Sequence, residues 1–297
     1  MMRAALVLAA GLALGLAACS ESPEGKPVTR TVLDGSVAEA TPEAAPTAEQ
    51  ALGPSACAKT SFEGVALTHC IADPAQHRIE MANLGADKQP FASLAAFASS
   101  VDPASIAFAV NGGMFGDDLR ALGYYVEKGA RLKELDRTEG SGNFYMKPNG
   151  VFFGNAGSGW RVLGSNTFFN TVGDRPQFGT QSGPMLLIDG KLHPEVQDDS
   201  PSKAIRNAVG VSADGKAHFV ISDAPVSFGQ LARYYRDVLK VPNALYLDGA
   251  ISSLWDPAGG RMNGGRVGPI IVVTKREARP ASPTPAEPAA TPEAGAP

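Results

Sequence analysis

The chain predicts an α+β fold, with a mixed, largely antiparallel sheet core and a few packed helices in one domain. Two observations carry this. Short apolar runs recur on either side of tight Asp-Gly or Lys-Gly pairs, the pattern of hairpins. Only two stretches show helical spacing, so the strand–helix alternation of a doubly wound parallel sheet is missing. No internal repeat is present.

Residues 1–19 read as an export leader. Arg3 supplies a minimal positive start, and the apolar run Ala4 to Leu16 is too short to span a bilayer. The run ends in Leu16-Ala17-Ala18-Cys19, which resembles a bacterial lipobox. That resemblance implies cleavage that leaves Cys19 as a lipidated N-terminus. In a Gram-negative cell this favours the periplasmic face of the outer membrane. An ordinary signal peptide is the alternative. Residues 20–54 and 279–297 are rich in Pro, Ala, Glu and Thr and have little periodic hydrophobicity, so they read as a disordered tether and a disordered tail. Residues 55–278 remain as a domain of ordinary size.

Within that domain the elements follow in order. Pro90–Val101 sets Phe91, Leu94, Ala95 and Ala98 on one helical face. Ile106–Val110 reads as a buried strand. Tyr124–Glu127 and Ala130–Leu132 flank Lys128-Gly129 as a hairpin. Gly150–Phe153 is a strand. Met185–Ile188 and Lys191–His193 flank Asp189-Gly190, and Val209–Ser212 and Ala217–Ile221 flank Asp214-Gly215. Ser227–Lys240 has helical spacing, with Ser227 and Gln230 placed as a capping box. Ala244–Leu247 and Pro269–Val273 are further strands.

Cys57 and Cys70 are the pair left in an exported domain, where disulfides persist. Closing that loop stabilises by about 3 kcal/mol in the chain-entropy model. No Cys-x-x-Cys spacing occurs, and the four histidines are scattered, so neither a metal nor another cofactor is expected. The formal net charge of −4 and the lack of a basic run argue against a nucleic-acid partner. Apart from the lipid, nothing argues for membrane insertion.

Reactive-looking polar groups follow or precede short strands. They are Asn111-Gly112-Gly113, Gln181-Ser182-Gly183, Arg206-Asn207, Ser222-Asp223 and Asp248-Gly249, with Ser252 close behind. A strand that delivers Asp248 to its end and turns on Gly249 holds a carboxylate rigidly beside open space, as a catalytic acid or base requires. Plainer readings stand beside these. Asp248 can start a turn, Arg206 can be an ion-pair partner, Asn111-Gly112-Gly113 can be a turn, and Gln181 and Ser182 can cap a strand. Tyr124 or Tyr125, Trp160 and Trp255 are candidate sugar platforms.

Taken in order, Asn-Gly-Gly-Met-Phe from 111, Gly-Tyr-Tyr-Val-Glu-Lys-Gly from 123, Gln-Ser-Gly-Pro-Met-Leu from 181, Arg-Asn-Ala-Val-Gly from 206 and Leu-Asp-Gly-x-x-Ser from 247 resemble the phosphodiester glycosidase family. The resemblance covers roughly residues 60–275. Where many members carry Leu-Asp-Gly-Gly-Gly-Ser-Ser, this chain has Ala250 and Ile251 in place of the second and third glycines. The resemblance implies hydrolysis of a sugar-1-phosphodiester at the anomeric carbon, without a cofactor, on a carbohydrate or glycosyl-phosphate substrate. Its implied catalytic group is Asp248 as nucleophile or base and Arg206 as phosphate clamp, with Glu127 and Asp223 as reserve carboxylates. Asn111, Gln181 and Ser182 are placed to bind sugar hydroxyls or phosphate oxygens, and Gly112, Gly113, Gly183, Gly249 and Ser252 to line the same cleft. A carboxylate pair about 5 to 5.5 Å apart predicts retention, and about 6.5 to 9.5 Å predicts inversion. A non-catalytic envelope lipoprotein that binds saccharide or phosphate polymer through the same cleft is the competing reading. A metal-dependent phosphodiesterase is weakened by the missing ligand spacing.

Overall fold

Phe108, Phe152 and Phe219 come from three different sheets, and their rings meet edge to face, with Phe219 5.4 Å from Phe108 and 5.7 Å from Phe152. That contact marks the centre of the molecule. The computed structural model describes residues 52–248 and 251–276. Cys19, the tether to residue 51, Gly249 and the tail from residue 277 lie outside the described residues.

The strands in chain order are β1 (Cys57–Phe62), β2 (Val65–Ala72), β3 (His77–Ala82), β4 (Ile106–Asn111), β5 (Tyr125–Glu127), β6 (Ala130–Lys133), β7 (Gly150–Asn155), β8 (Ser158–Gly164), β9 (Phe178–Ser182), β10 (Met185–Ile188), β11 (Lys191–Leu192), β12 (Asn207–Val211), β13 (Ala217–Ser222), β14 (Ala244–Tyr246), β15 (Leu254–Asp256), β16 (Arg261–Met262) and β17 (Ile270–Lys275). The helices are α1 (Leu94–Ala98), α2 (Ser165–Thr171) and α3 (Phe228–Arg233).

Sheet I has the order β1-β2-β13-β12-β14-β10-β11, sheet II β16-β15-β4-β17-β3, and sheet III β6-β5-β9-β7-β8. The strand pairs within them are antiparallel. Each sheet turns one face to the shared core and covers the other with a helix. Leu231, Ala232 and Tyr235 back sheet I, Leu94 and Phe97 back sheet II, and Phe168 backs sheet III. Strands covered on both faces read as unbroken apolar runs rather than alternating ones, which is why Ile106–Asn111 is buried at every position.

The expected α+β class, hairpins and disulfide are present. Cys57 and Cys70 face each other across β1 and β2 and are bonded. Asp189-Gly190 and Lys128-Gly129 both take the left-handed backbone that a two-residue hairpin requires. Both helices are shorter than their spacing predicts. α1 starts only at Ser93, which caps Ala96 N–H, because Ala92 is left-handed and Phe91 N–H donates to Asn83 O. It stops where the Ser99 hydroxyl bonds back to Ala95 O. α3 gives way to a π-helical turn, Tyr234–Val238. Ser227 accepts from Gln230 N–H as expected, but the Gln230 amide points to Glu63 O and does not close the capping box.

Candidate active site

Strand ends from all three sheets converge. β14 lies between β12 and β10. Leu247 N–H donates to Asn207 O on one side of it, and Tyr246 N–H donates to Pro184 O on the other. This brings the end of β14, with buried Asp248, between Arg206-Asn207 and Ser182-Gly183-Pro184. The end of β4 reaches the same place from sheet II: Asn207 Nδ2 donates to Asn111 Oδ1 at 2.9 Å. Ser253 N–H donates to the same oxygen at 2.8 Å, and Ser252 Oγ lies 3.3 Å from Asn207 Oδ1 while donating to Ile205 O. Among the described residues, the Asn111 Nδ2 contacts given are at 3.5 Å, to Gly112 O and Asn207 Oδ1, longer than those of its Oδ1.

Asn207 is named beside Arg206 in the sequence motif but is given no role of its own there. It follows Arg206 in an extended strand, so the two side chains point to opposite faces. Alternation within the quoted motif was the signal that could have found it.

Arg206 does not present an open fork. It is 3% exposed, with Nε donating to Val226 O, Nη1 to Tyr246 Oη and Nη2 to Ser202 O. Its guanidinium stacks 3.8 Å from the Phe228 ring centre and 5.4 Å from that of Tyr246. The expectation of a phosphate clamp is therefore corrected: the guanidinium is buried, and its described bonds brace the strand that carries Asp248. Burial pushes the Tyr246 phenol up, the Arg206 charge opposes it, and the Asp248 charge adds to it, so the three groups form one electrostatic unit.

The reserve carboxylates are already engaged. Asp223 accepts from Lys59 Nζ at 3.0 Å and Arg261 Nη1 at 2.8 Å, with Thr68 Oγ1 beside them. Burial raises its carboxyl, but the bonds from Lys59 and Thr68 and the Arg261 charge prevail and hold it below the usual range. Glu127 Oε2 accepts from Tyr125 Oη at 2.7 Å, and burial, then the Glu127 charge, holds that phenol far above its ordinary value.

Several expected ligand contacts are corrected by packing. Gln181 Oε1 accepts from Tyr124 N–H and Asp136 N–H, and Nε2 donates to Asp136 O and Ser165 Oγ, so no capacity remains for a sugar hydroxyl. A side chain on Gly113 would overlap the Gln181 carbonyl, and its N–H donates to Thr180 Oγ1 at 3.0 Å. Gly112 donates to Pro269 O at 2.7 Å, and a Cβ on Gly183 would lie 2.7 Å from Asn149 Cβ. These glycines let strands close on one another rather than admit a ligand. Trp255 packs edge-on against Phe97, and Trp160 is buried with its indole donating to Asn155 O, so neither is a platform. Tyr124 and Tyr125 are both buried. Ser182 differs: its fully buried hydroxyl has no partner among the described residues. It shares the inward face of β9 with Thr180, which meets Gly113.

The phosphodiester glycosidase family model matches residues 104–273, more than half of the chain. That span holds Asn111, Ser182, Arg206, Asn207, Asp248 and Ser252. The chain belongs to the phosphodiester glycosidase family. It is 32% identical over 188 residues to uncharacterized protein YigE of Escherichia coli K12, covering 63% of this chain and 73% of that one. The fold matches the catalytic domain of zebrafish N-acetylglucosamine-1-phosphodiester alpha-N-acetylglucosaminidase, auto-inhibited by its pro-peptide, with a TM-score of 0.50 at 14% identity. That match covers 74% of this chain and 82% of the zebrafish chain.

Proposed function

We propose that this phosphodiester glycosidase is an exported, lipid-anchored hydrolase that cleaves the sugar C1–O bond of a glycosyl phosphodiester in the cell envelope. Water adds to the anomeric carbon, and the phosphate leaves as a monoester. An N-acetylglucosamine-1-phosphodiester is the model substrate, by analogy with the zebrafish enzyme's name. The observation that carries the reading is Asp248, buried at the end of a central strand where three sheets converge, inside the span matched by the family. A phosphate monoester leaves readily, so one carboxylate facing the developing oxocarbenium ion needs little acid assistance. Arg206, through Tyr246, positions Asp248. Asn111 Nδ2, Ser182 Oγ, Gly249 and Ser252 complete the substrate side.

The test incubates the purified full chain with UDP-N-acetylglucosamine and simple sugar-1-phosphodiesters and assays free sugar. Release by the parent, with a loss on the order of a thousandfold or more in Asp248→Asn, is expected. Solvent oxygen-18 should enter the sugar, not the phosphate. Equal turnover by the variant would remove Asp248 from the mechanism, and no release from any substrate would favour a saccharide-binding lipoprotein.

The same reading assigns residues 1–19 to the leader, Cys19 to the lipid, 20–54 to a tether, 55–278 to the hydrolase domain and 279–297 to a tail. Cys19→Ser is expected to release the protein from the membrane fraction of cells. Retention of that variant on membranes would refute the anchor.

A further inference from the structure

Ile251 stands where many members of the family carry the third glycine of Leu-Asp-Gly-Gly-Gly-Ser-Ser. The hydrolysis proposed above gives this side chain no task, yet the fold has built a seat for it. Ile251 is half-buried and packs against the apolar cluster that Leu94 and Phe97 of α1 form with Trp255 and Val267. The seat is completed by Gly265. A Cβ there would lie 3.1 Å from Ile251 Cγ2 and 3.4 Å from Ser253 Oγ, and the φ of +124° at Gly265 favours glycine. A missing side chain at 265 thus makes room for a large one at 251.

The two residues that follow are fastened by hydrogen bonds. Ser252 Oγ donates to Ile205 O at 3.1 Å, toward sheet I. Ser253 N–H donates to Asn111 Oδ1 at 2.8 Å, Ser253 O accepts from Asn111 N–H at 3.3 Å, and Ser253 Oγ donates to Gly264 O at 3.1 Å. Before Asp248, Leu247 N–H donates to Asn207 O. The chain is therefore held one residue before Asp248 and again from Ile251 onward, with Gly249 and Ala250 between.

Among residues 251–253, Ile251 is the apolar fastener. A serine that leaves its partner regains a hydrogen bond from water, whereas an apolar side chain that leaves its cluster gains nothing in exchange. Glycine at the same position would also widen the backbone conformations open to the segment, which a β-branched residue narrows. Both effects act in one direction. We propose that Ile251 is a positioning residue: by docking the segment after Asp248 onto sheet II, it fixes the approach of that carboxylate to the anomeric carbon. This rests on the hydrolase reading and adds the residue that holds its carboxylate in register.

The test compares the full chain with Ile251→Gly and Ile251→Val. Hydrogen exchange needs no turnover. The Ser253 and Leu254 amides should exchange about tenfold faster in Ile251→Gly, with the amides of β4 and β17 unchanged and Ile251→Val close to the parent. On a sugar-1-phosphodiester at constant folded fraction, kcat should fall about ten- to a hundredfold in Ile251→Gly while KM stays within about twofold, since a misplaced group costs rate rather than binding. Ile251→Val, which keeps a branched apolar side chain, should retain most of the rate. Unchanged exchange at Ser253 and Leu254 would overturn the inference, as would an unchanged kcat or a rise in KM alone. A parent that releases no sugar would sink the hydrolase reading, while the exchange comparison would still decide the docking of Ile251, so the two failures are separately visible.

Discussion

The Asp248 junction and the outer groove lined by Arg137 and Lys147 are built on opposite faces of one strand, β9, and they use polar side chains in opposite ways. On the inward face, Thr180 takes Gly113 N–H and the Ser182 hydroxyl has no partner among the described residues. On the outward face, Gln181 spends its whole amide on backbone and Ser165, and the groups left to meet solvent are charged side chains on loops. Where strands from three sheets converge, polar side chains must first replace the backbone pairing that the strand ends give up. Loops outside the sheet owe nothing of that kind and can present charge to solvent. A residue that looks reactive beside a strand end is therefore as often a fastener as a contact.

Neighbouring residues of β9 give the sharpest way to break that contrast. Gln181→Ala strips partners from Tyr124 N–H, Asp136 N–H, Asp136 O and Ser165 Oγ at once. Orphaned buried groups cost about 1 to 3 kcal/mol each, with some relaxation, so a loss of roughly 3 to 5 kcal/mol in stability is expected. Ser182→Ala removes a hydroxyl with no partner among the described residues, so its stability should change by less than about 1 kcal/mol. Denaturant midpoints measured at constant slope decide it. Equal costs at the two positions would erase the division between fastener and contact, and a stable Ser182→Ala protein that loses turnover would place the hydroxyl in the site.

The hairpins, the disulfide and the central strands were legible because turn chemistry and apolar runs are local signals. The short helices were not: spacing marks a helical face, but the left-handed Ala92 and the π-helical turn after Arg233 are set by packing against other elements. For the site, the position of Asp248 at a strand end was readable, and the motif order pointed to the family. The roles of Arg206 and Gln181 were not, because sequence shows hydrogen-bonding capacity and not who consumes it. Asn207, Tyr246 and Ser253 act through contacts with residues far away in the chain.

The smallest expected effect concerns pH and sits away from both regions. His69 on β2 and His218 on β13 place Nε2 and Nδ1 2.9 Å apart, with His218 Nε2 2.9 Å from Ser212 Oγ. Burial, then the His218 charge, pushes His69 down to about 4, and burial also lowers His218. An unfolded histidine titrates near about 6.5, so between those values the unfolded chain binds more protons than the folded one. Stability is thus flat with respect to this group above about 6.5 and falls as pH drops toward about 4. Thermal midpoints should decline across that window, and His69→Gln should flatten the decline. An unchanged slope in the variant would assign it to other groups, such as His218, His77 or His193, which burial also lowers. Since neither histidine is placed at the junction, a fall in turnover that survives His69→Gln at constant folded fraction would report on Asp248 and its neighbours, whereas one that disappears would have measured only the β2–β13 pairing coming apart.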